Sequence, residues 1–185
     1  MLFRVLFLLL IGVPGVSAQT NPVSSPEVFW QLTAGTAPAV TSPANEVMLQ
    51  QAGMGNQATI AILGQQNQVS LTQTASANAA TVQLTGQANQ LQLNQAGGGN
   101  RFTLGLDGST NQLRVSQSGG DVISLLGLSG SNARIDMIQR NGNNTIMADG
   151  LTIPNTSTGM GVANLRIEQS GGATVHIQNG LSIKQ

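Results

Sequence analysis

Asparagine returns every eleven residues through the middle of this chain, at Asn45, Asn56, Asn67, Asn78, Asn89, Asn100 and Asn111. Glutamine returns every twenty-two, at Gln51, Gln73, Gln95, Gln117 and Gln139. A carboxamide offers two N–H donors and a carbonyl acceptor without carrying charge. The chemistry open to such rows is self-recognition: identical amides stacked at strand spacing each donate to the next and form a ladder. Six residues after the intervening asparagines the chain carries an aliphatic residue instead, at Ile62, Leu84 and Leu106. The unit is therefore twenty-two residues long and built of two related halves.

Side chains for other chemistry are few and scattered. There is no cysteine and a single histidine, His176, which falls at an outward strand place. No second histidine and no acidic pair at metal spacing accompanies it, so zinc and transition-metal sites lack ligands and no cofactor is expected. Asp107, Asp121, Asp136 and Asp149 are dispersed, and read as solvated turn residues or as charges that slow aggregation. Arg101 and Arg114 fall on different half-units, whereas a polysaccharide-cleaving solenoid needs its acids and bases clustered on one face; the chain is not read as an enzyme. Calcium-binding glycine–aspartate nonapeptides are absent.

Charged residues make up 8% of the chain and balance at seven basic and seven acidic, which gives nucleic acid or an acidic membrane nothing to attract. The richness in Gln, Asn, Gly, Ser and Thr would by itself suggest a disordered, aggregation-prone tract. The period argues for order. Residues 1–18 read as a secretory signal peptide: Arg4 precedes the apolar run Val5 to Val13, and Val16-Ser17-Ala18 offers small residues at the cleavage place. That run is too short to span a bilayer and is followed by Pro14, and no later stretch could span one.

Residues 19–44, with Pro22, Pro26, Pro38 and Pro43 and no period, read as a disordered linker. Its aromatic pair Phe29-Trp30 is either a docking element for a secretion or anchoring partner or an incidental apolar patch. From Asn45 each half runs Asn-x-apolar-x-apolar-x-(Gln or aliphatic)-x-Gly, then turn residues. Alternation of period two means strand. The apolar places are Val47/Leu49, Ala58/Ile60, Val69/Leu71, Ala80/Val82, Leu91/Leu93, Phe102/Leu104 and Leu113/Val115, and the residues between them are polar or small. A helix would scatter this set around its circumference, and a glycine recurring every eleven residues would weaken it.

Gly53, Gly64, Gly86, Gly97, Gly108 and Gly119 mark the reversals, with Ala75 the exception, because a tight turn at positive φ favours glycine. Beyond Asn111 the phase wobbles: the turn Gln117-Ser118-Gly119-Gly120 is one residue short. Further units begin near Ala133, with Gln139 and then Asn144, and near Ala163, with Gln169. Residues 151–162 look like an insertion, and Leu181 with Ile183 extends the pattern towards a last strand.

The expected fold is all-β, a solenoid of about six strand–turn–strand coils over residues 45–185, forming two parallel sheets with amide ladders between them. Sheets face each other about 10 Å apart and coils stack about 4.8 Å apart. Monomeric solenoids cover their end edges with polar caps. No such cap precedes Asn45, so an open end is expected to recruit another copy.

At this point the unit Asn89 to Thr110 resembles the curlin repeat, whose pattern is Ser-x5-Gln-x-Gly-x2-Asn-x-Ala-x3-Gln. Gln95, Gly97 and Asn100 stand at that spacing, as do Gln51, Gly53 and Asn56, and Gln73 with Asn78. Three departures stand out: the leading serine is mostly asparagine, the second glutamine becomes Ile62, Leu84 and Leu106, and the leader is rich in proline. The resemblance implies an exported subunit of curli, the extracellular amyloid fibres that Gram-negative bacteria use for adhesion and biofilm matrix. Implied partners are further copies of the chain, a second curlin-like subunit and an outer-membrane secretion channel. A minor, surface-anchored nucleator is the alternative, suited by Arg134, Arg140, Arg166 and Lys184 in the drifting units. A third reading, an ice-binding solenoid, rests on the outward row Thr59, Thr81 and Thr103, whose flanking rows are irregular.

Overall fold

In the computed structural model, residues 29–34, 45–153 and 163–177 are described, and side-chain statements concern 45–153 and 164–177. The proposed signal peptide, the remainder of the proposed linker, residues 154–162 and the Leu181–Ile183 segment lie outside the described residues. Among the described residues thirteen strands follow one another: β1 (Phe29–Ala34), β2 (Glu46–Ala52), β3 (Gln57–Gln65), β4 (Gln68–Thr74), β5 (Ala79–Gln87), β6 (Gln90–Ala96), β7 (Arg101–Ser109), β8 (Gln112–Ser118), β9 (Val122–Ser129), β10 (Ala133–Arg140), β11 (Thr145–Asp149), β12 (Ala163–Ser170) and β13 (Thr174–Ile177).

Odd strands form one sheet in the order β1-β3-β5-β7-β9-β11-β13, and even strands the other, from β12 through β10, β8, β6 and β4 to β2. Every pairing is parallel, and through the first coils each residue lies beside the one twenty-two positions on, as in Leu49↔Leu71 and Leu71↔Leu93. The expected two-sheet solenoid is therefore the fold. Alternation decides the faces. Ala58, Ile60, Val69, Leu71, Ala80, Val82, Leu91, Leu93, Phe102, Leu104, Leu113 and Val115 are all buried between the sheets, with Ile62, Leu84 and Leu106 beside them. The outward strand residues are exposed or half-exposed, His176 among them. Each buried row extends through successive coils, so no coil has a core of its own.

Two regions depart from the sequence reading. Part of the expected linker is strand: β1 pairs with β3, with Trp30↔Ala58, Leu32↔Ile60 and Ala34↔Ile62. Trp30-x-Leu32-x-Ala34 keeps the alternation of the repeat, and the surrounding prolines concealed it. Among the described residues, the odd sheet thereby gains a strand before β3 that has no counterpart before β2 in the even sheet. The second departure concerns residues 151–153, expected to open an insertion. Ser129 and Thr152 form a β-bridge, and Leu151 and Ile153 are half-buried against the core.

The phase slip is repaired within one coil. The turn before Asp121 is one residue short, and β9 carries an irregularity opposite β7: Leu104 faces Leu125, but Leu106 faces Leu128. The extra residue restores the count, so that Ile135 again lies beside Leu113 twenty-two positions back. A bulge here keeps Leu125 and Leu128 both inward, which a one-residue slip would have prevented.

Candidate functional site

Three columns of polar side chains run through the interior. The first starts at Asn45. Asn67 Nδ2 donates to Asn45 Oδ1 at 3.1 Å, Asn89 Nδ2 to Asn67 Oδ1 at 3.0 Å, and Asn111 Nδ2 to Asn89 Oδ1 at 2.9 Å. The same nitrogens also reach turn carbonyls, those of Gly86, Gly108 and Gly130, at 2.8–2.9 Å. Each asparagine's own backbone N–H donates to the preceding Oδ1, as from Asn67 to Asn45 at 3.0 Å. One side chain thus satisfies the polar groups of a whole turn, and so it can be buried at no net loss of hydrogen bonds.

The second column, Asn56–Asn78–Asn100, stacks side chain on side chain in the same sense, but Asn78 and Asn100 Nδ2 also reach the carbonyls of Thr74 and Ala96 four residues back, and the column then continues through an aspartate. Asp121 N donates to Asn100 Oδ1 at 3.0 Å, and Asn144 Nδ2 donates to Asp121 Oδ1 at 2.9 Å. Asp121 is fully buried. The sequence reading left it among dispersed acids; its place ten residues after Asn111, beside the short turn, was the signal that it stands in for asparagine. A carboxylate cannot donate, and the short turn compensates by presenting Ser118 N–H to Asp121 Oδ2 at 2.9 Å. In the regular coil above it, Asn100 Nδ2 instead meets the carbonyl of Ala96 at 2.8 Å.

The third column is glutamine, and its donors point the other way. Gln73 Nε2 donates to Gln95 Oε1 at 2.8 Å, Gln95 to Gln117 at 3.0 Å, Gln117 to Gln139 at 3.1 Å and Gln139 to Gln169 at 2.9 Å. Gln51 donates to Gln73 in the same sense. The second N–H crosses to the carbonyl that opens a strand of the facing sheet: Gln57 from Gln73, Ala79 from Gln95, Arg101 from Gln117. The glutamines therefore tie the two sheets together as well as the coils. All the expected ladder residues are brought into these columns, Asn45 at its half-buried start. The expected turn glycines all adopt positive φ, from 73° at Gly97 to 157° at Gly108.

An exposed row was not foreseen. Gln68 Nε2 donates to Glu46 Oε2 at 2.9 Å, Gln90 to Gln68 at 2.8 Å, and Gln112 to Gln90 at 2.9 Å. These outward places on the even sheet lie at the same twenty-two-residue step as the threonine row on the odd sheet, and that step was the signal for them. Past Gln112 this face changes character and ion pairs take over: Arg134–Asp136, Arg140–Glu168 and Arg166–Glu168. Glu168 is held below the usual carboxylate range, first by the hydrogen bond and charge of Arg140 and then by Arg166.

The two ends of the stack are unlike the middle. Val47, Leu49, Leu165, Ile167 and Ile177 are only half-buried, whereas the same rows between them are closed. At the start, Gln51 Oε1 is buried without a partner. At the finish, Gln169 turns its amide to the carbonyl of Ala173 at 3.0 Å, and Asn144 Oδ1 accepts from Gly172 and Ala173 N–H at 3.1 Å each. Among the described residues no three His, Cys, Asp or Glu side chains converge.

Parallel coils in register, closed inside by amide columns, define an amide-ladder β-solenoid. Residues 43–74, which span β2 through β4, match the family model described as the curlin associated repeat. No curated protein and no solved structure matches the chain.

Proposed function

We propose that the mature chain is a curli-type subunit, exported from the cell, that polymerises end to end into extracellular cross-β fibres serving adhesion and biofilm matrix. One observation carries this reading: the end rows Val47, Leu49, Leu165 and Ile167 are half-open continuations of rows closed everywhere between them. Stacking another coil at about 4.8 Å would bury those side chains and pair the outer edges of β2 and β12, which have no further strand beside them among the described residues. The curlin repeat at 43–74 supports the same role and, with it, an outer-membrane channel and a second curlin-like subunit as partners. The change from an amide row to arginine ion pairs along the even sheet supports a second reading, a minor subunit whose last coils meet an anchoring partner.

Purified residues 19–185 are expected to form thioflavin-positive fibres after a lag, with a meridional reflection near ~4.8 Å. A monomer that stays soluble at tens of micromolar for days would refute the proposal. Gln95→Ala should slow elongation by breaking the glutamine column at its middle.

A further inference from the structure

The outer face of the odd sheet carries opposite charges on its two margins. Arg101 and Asp107 stand exposed near the two ends of β7, six residues or about 20 Å apart. Neither belongs to an ion pair among the described residues; the three pairs found there all lie on the even sheet. Between Arg101 and Asp107 the outward places are Thr103 and Gly105, continued by Thr81 and Gln83 in β5 and by Thr59 and Ala61 in β3. The middle of the face is thus built mostly of small side chains. β7 lies inside the described stack, between β5 and β9, so this surface belongs to neither end.

We propose that two stacks pair side by side through this face, odd sheet against odd sheet, about a twofold axis parallel to the stack; this rests on the fibre reading and names the contact between one stack and the next. That axis lays β7 of one copy antiparallel over β7 of the other. Arg101 then faces Asp107 of the second copy, and Asp107 faces its Arg101, the reciprocal contact of an isologous interface. Thr103 meets Gly105 and Thr59 meets Ala61, so the sheets can close to about 10 Å. Leu63, 56% exposed, covers Gln57. Asp149, the other acid on this face, falls opposite Met147 and meets no like charge. A twofold along β7 itself would set Arg101 on Arg101 and Asp107 on Asp107, which like-charge repulsion disfavours.

The strands β3, β5, β7, β9 and β11 give a footprint of about 24 by 20 Å, roughly 500 Å² per copy. A stable complex buries about 800 Å² on each side, and exposed ion pairs are individually weak. One pair of copies is therefore held loosely. A stack repeats the contact with every copy it adds, so the pairing strengthens with length.

Charge reversal in full-chain fibres tests the pairing. Arg101→Asp leaves only acids on the two margins and Asp107→Arg only bases, so either variant should form single filaments. The double variant should pair like the unaltered chain, and so should preformed R101D fibres mixed with preformed D107R fibres. Mass per length by electron microscopy reads this, since a pair weighs twice a single filament. The paired share should fall about fivefold in each single variant, and for the unaltered chain in ~1 M salt. Single variants that pair as often as the unaltered chain, a double variant that stays single, or unpaired filaments of the unaltered chain would each overturn the proposal. If the unaltered chain forms no fibres, the fibre reading fails and the face is decided on concentrated soluble chain. There is no native cysteine to interfere. Thr81→Cys chains treated with a bis-maleimide spanning about 12 Å should give a cross-linked dimer roughly tenfold above Gln90→Cys, which lies on the even face. Equal yields would overturn the pairing there too.

Discussion

From Asn45 to Asn111 every interior polar row is continued by another amide; beyond Ser118 the glutamine row runs on through Gln139 and Gln169, but the two asparagine rows meet a carboxylate and an alanine, and β9 carries a bulge. The early coils keep the register by repetition. The later coils keep it by compensation: Asp121 comes with a turn one residue shorter that supplies Ser118 N–H, and the missing residue is returned at Gly127 in β9. Ala133 sends its backbone N–H to Asn111 Oδ1 and lets the side-chain column end there. The left-handed turn places differ too, with Gln66, Ala88 and Thr110 in the early coils and Asn132, Asn141 and Asn143 in the later ones. Asparagine tolerates that conformation better than β-branched or longer residues. What the stack requires is a donor–acceptor match at each level, and amide identity is one way to supply it.

Glycine substitution should separate the two regions most strongly. Gly86 sits at φ 121°, and an added Cβ would lie 1.8 Å from the carbonyl oxygen of Gly108 in the next coil. Gly171 sits at φ 74° with nothing within 4 Å of such a Cβ. Gly86→Ala is expected to cost ~3 kcal/mol or more, because backbone must move in two coils, and Gly171→Ala about 1 kcal/mol from the φ penalty alone. Urea unfolding of freshly purified monomer measures both. Equal losses would mean that the early coils are no more tightly apposed than the last.

The amide rule is sharpened by exchanging one residue in each region. Asn100→Asp puts a carboxylate oxygen against the carbonyls of Ala96 and Gly97 and against Asn78 Oδ1, three acceptors without a proton among them. Asp121→Asn puts an amide N–H₂ against Ser118 N–H or, if turned over, against Asn144 N and Nδ2. Both substitutions keep shape and volume. The first should destabilise by ~3 kcal/mol or more at neutral pH, with relief in acid as the buried carboxyl regains a proton. The second should cost about 1–3 kcal/mol, the penalty for an unmatched buried polar group, with no such relief. A neutral outcome for Asp121→Asn would show that the short turn is incidental.

Much of this was legible in the sequence, because a strict period fixes topology, register and facing together. Asn100 and Gln95 were readable as buried amides from their step alone. Asp121 was not, since a carboxylate in place of an amide breaks the letter pattern while keeping the acceptor, and the compensating Ser118 N–H belongs to the backbone. The bulge at Leu126-Gly127 was hidden for a related reason: a one-residue loss and a one-residue gain cancel over a coil. β1 was obscured because proline content is a statement about the flanks, whereas the alternation of Trp30, Leu32 and Ala34 is a statement about the strand. The opposed directions of the Asn and Gln donors follow from side-chain length and turn geometry, which spacing does not encode.

The smallest expected effect lies on the outer face of the even sheet, where the early region carries amides and the later one charges. Arg140 and Arg166 hold Glu168 below the ordinary carboxylate value, so the folded state binds a proton there less readily than the unfolded chain does. The contribution of Glu168 is therefore present above the ordinary carboxyl range and is lost as pH falls through the lowered value. Because Glu168 is exposed, solvent and salt weaken the effect. Glu168→Gln should lower the urea midpoint slightly above about pH 5, converge with the unaltered chain near pH 2, and lose its effect in ~1 M salt. Gln90→Ala, which cuts the exposed amide row at its middle, should give a loss of similar size that does not vary with pH or salt. If the Gln90 loss followed pH instead, the row would be answering to Glu46 at its end, and the early face would be electrostatic after all.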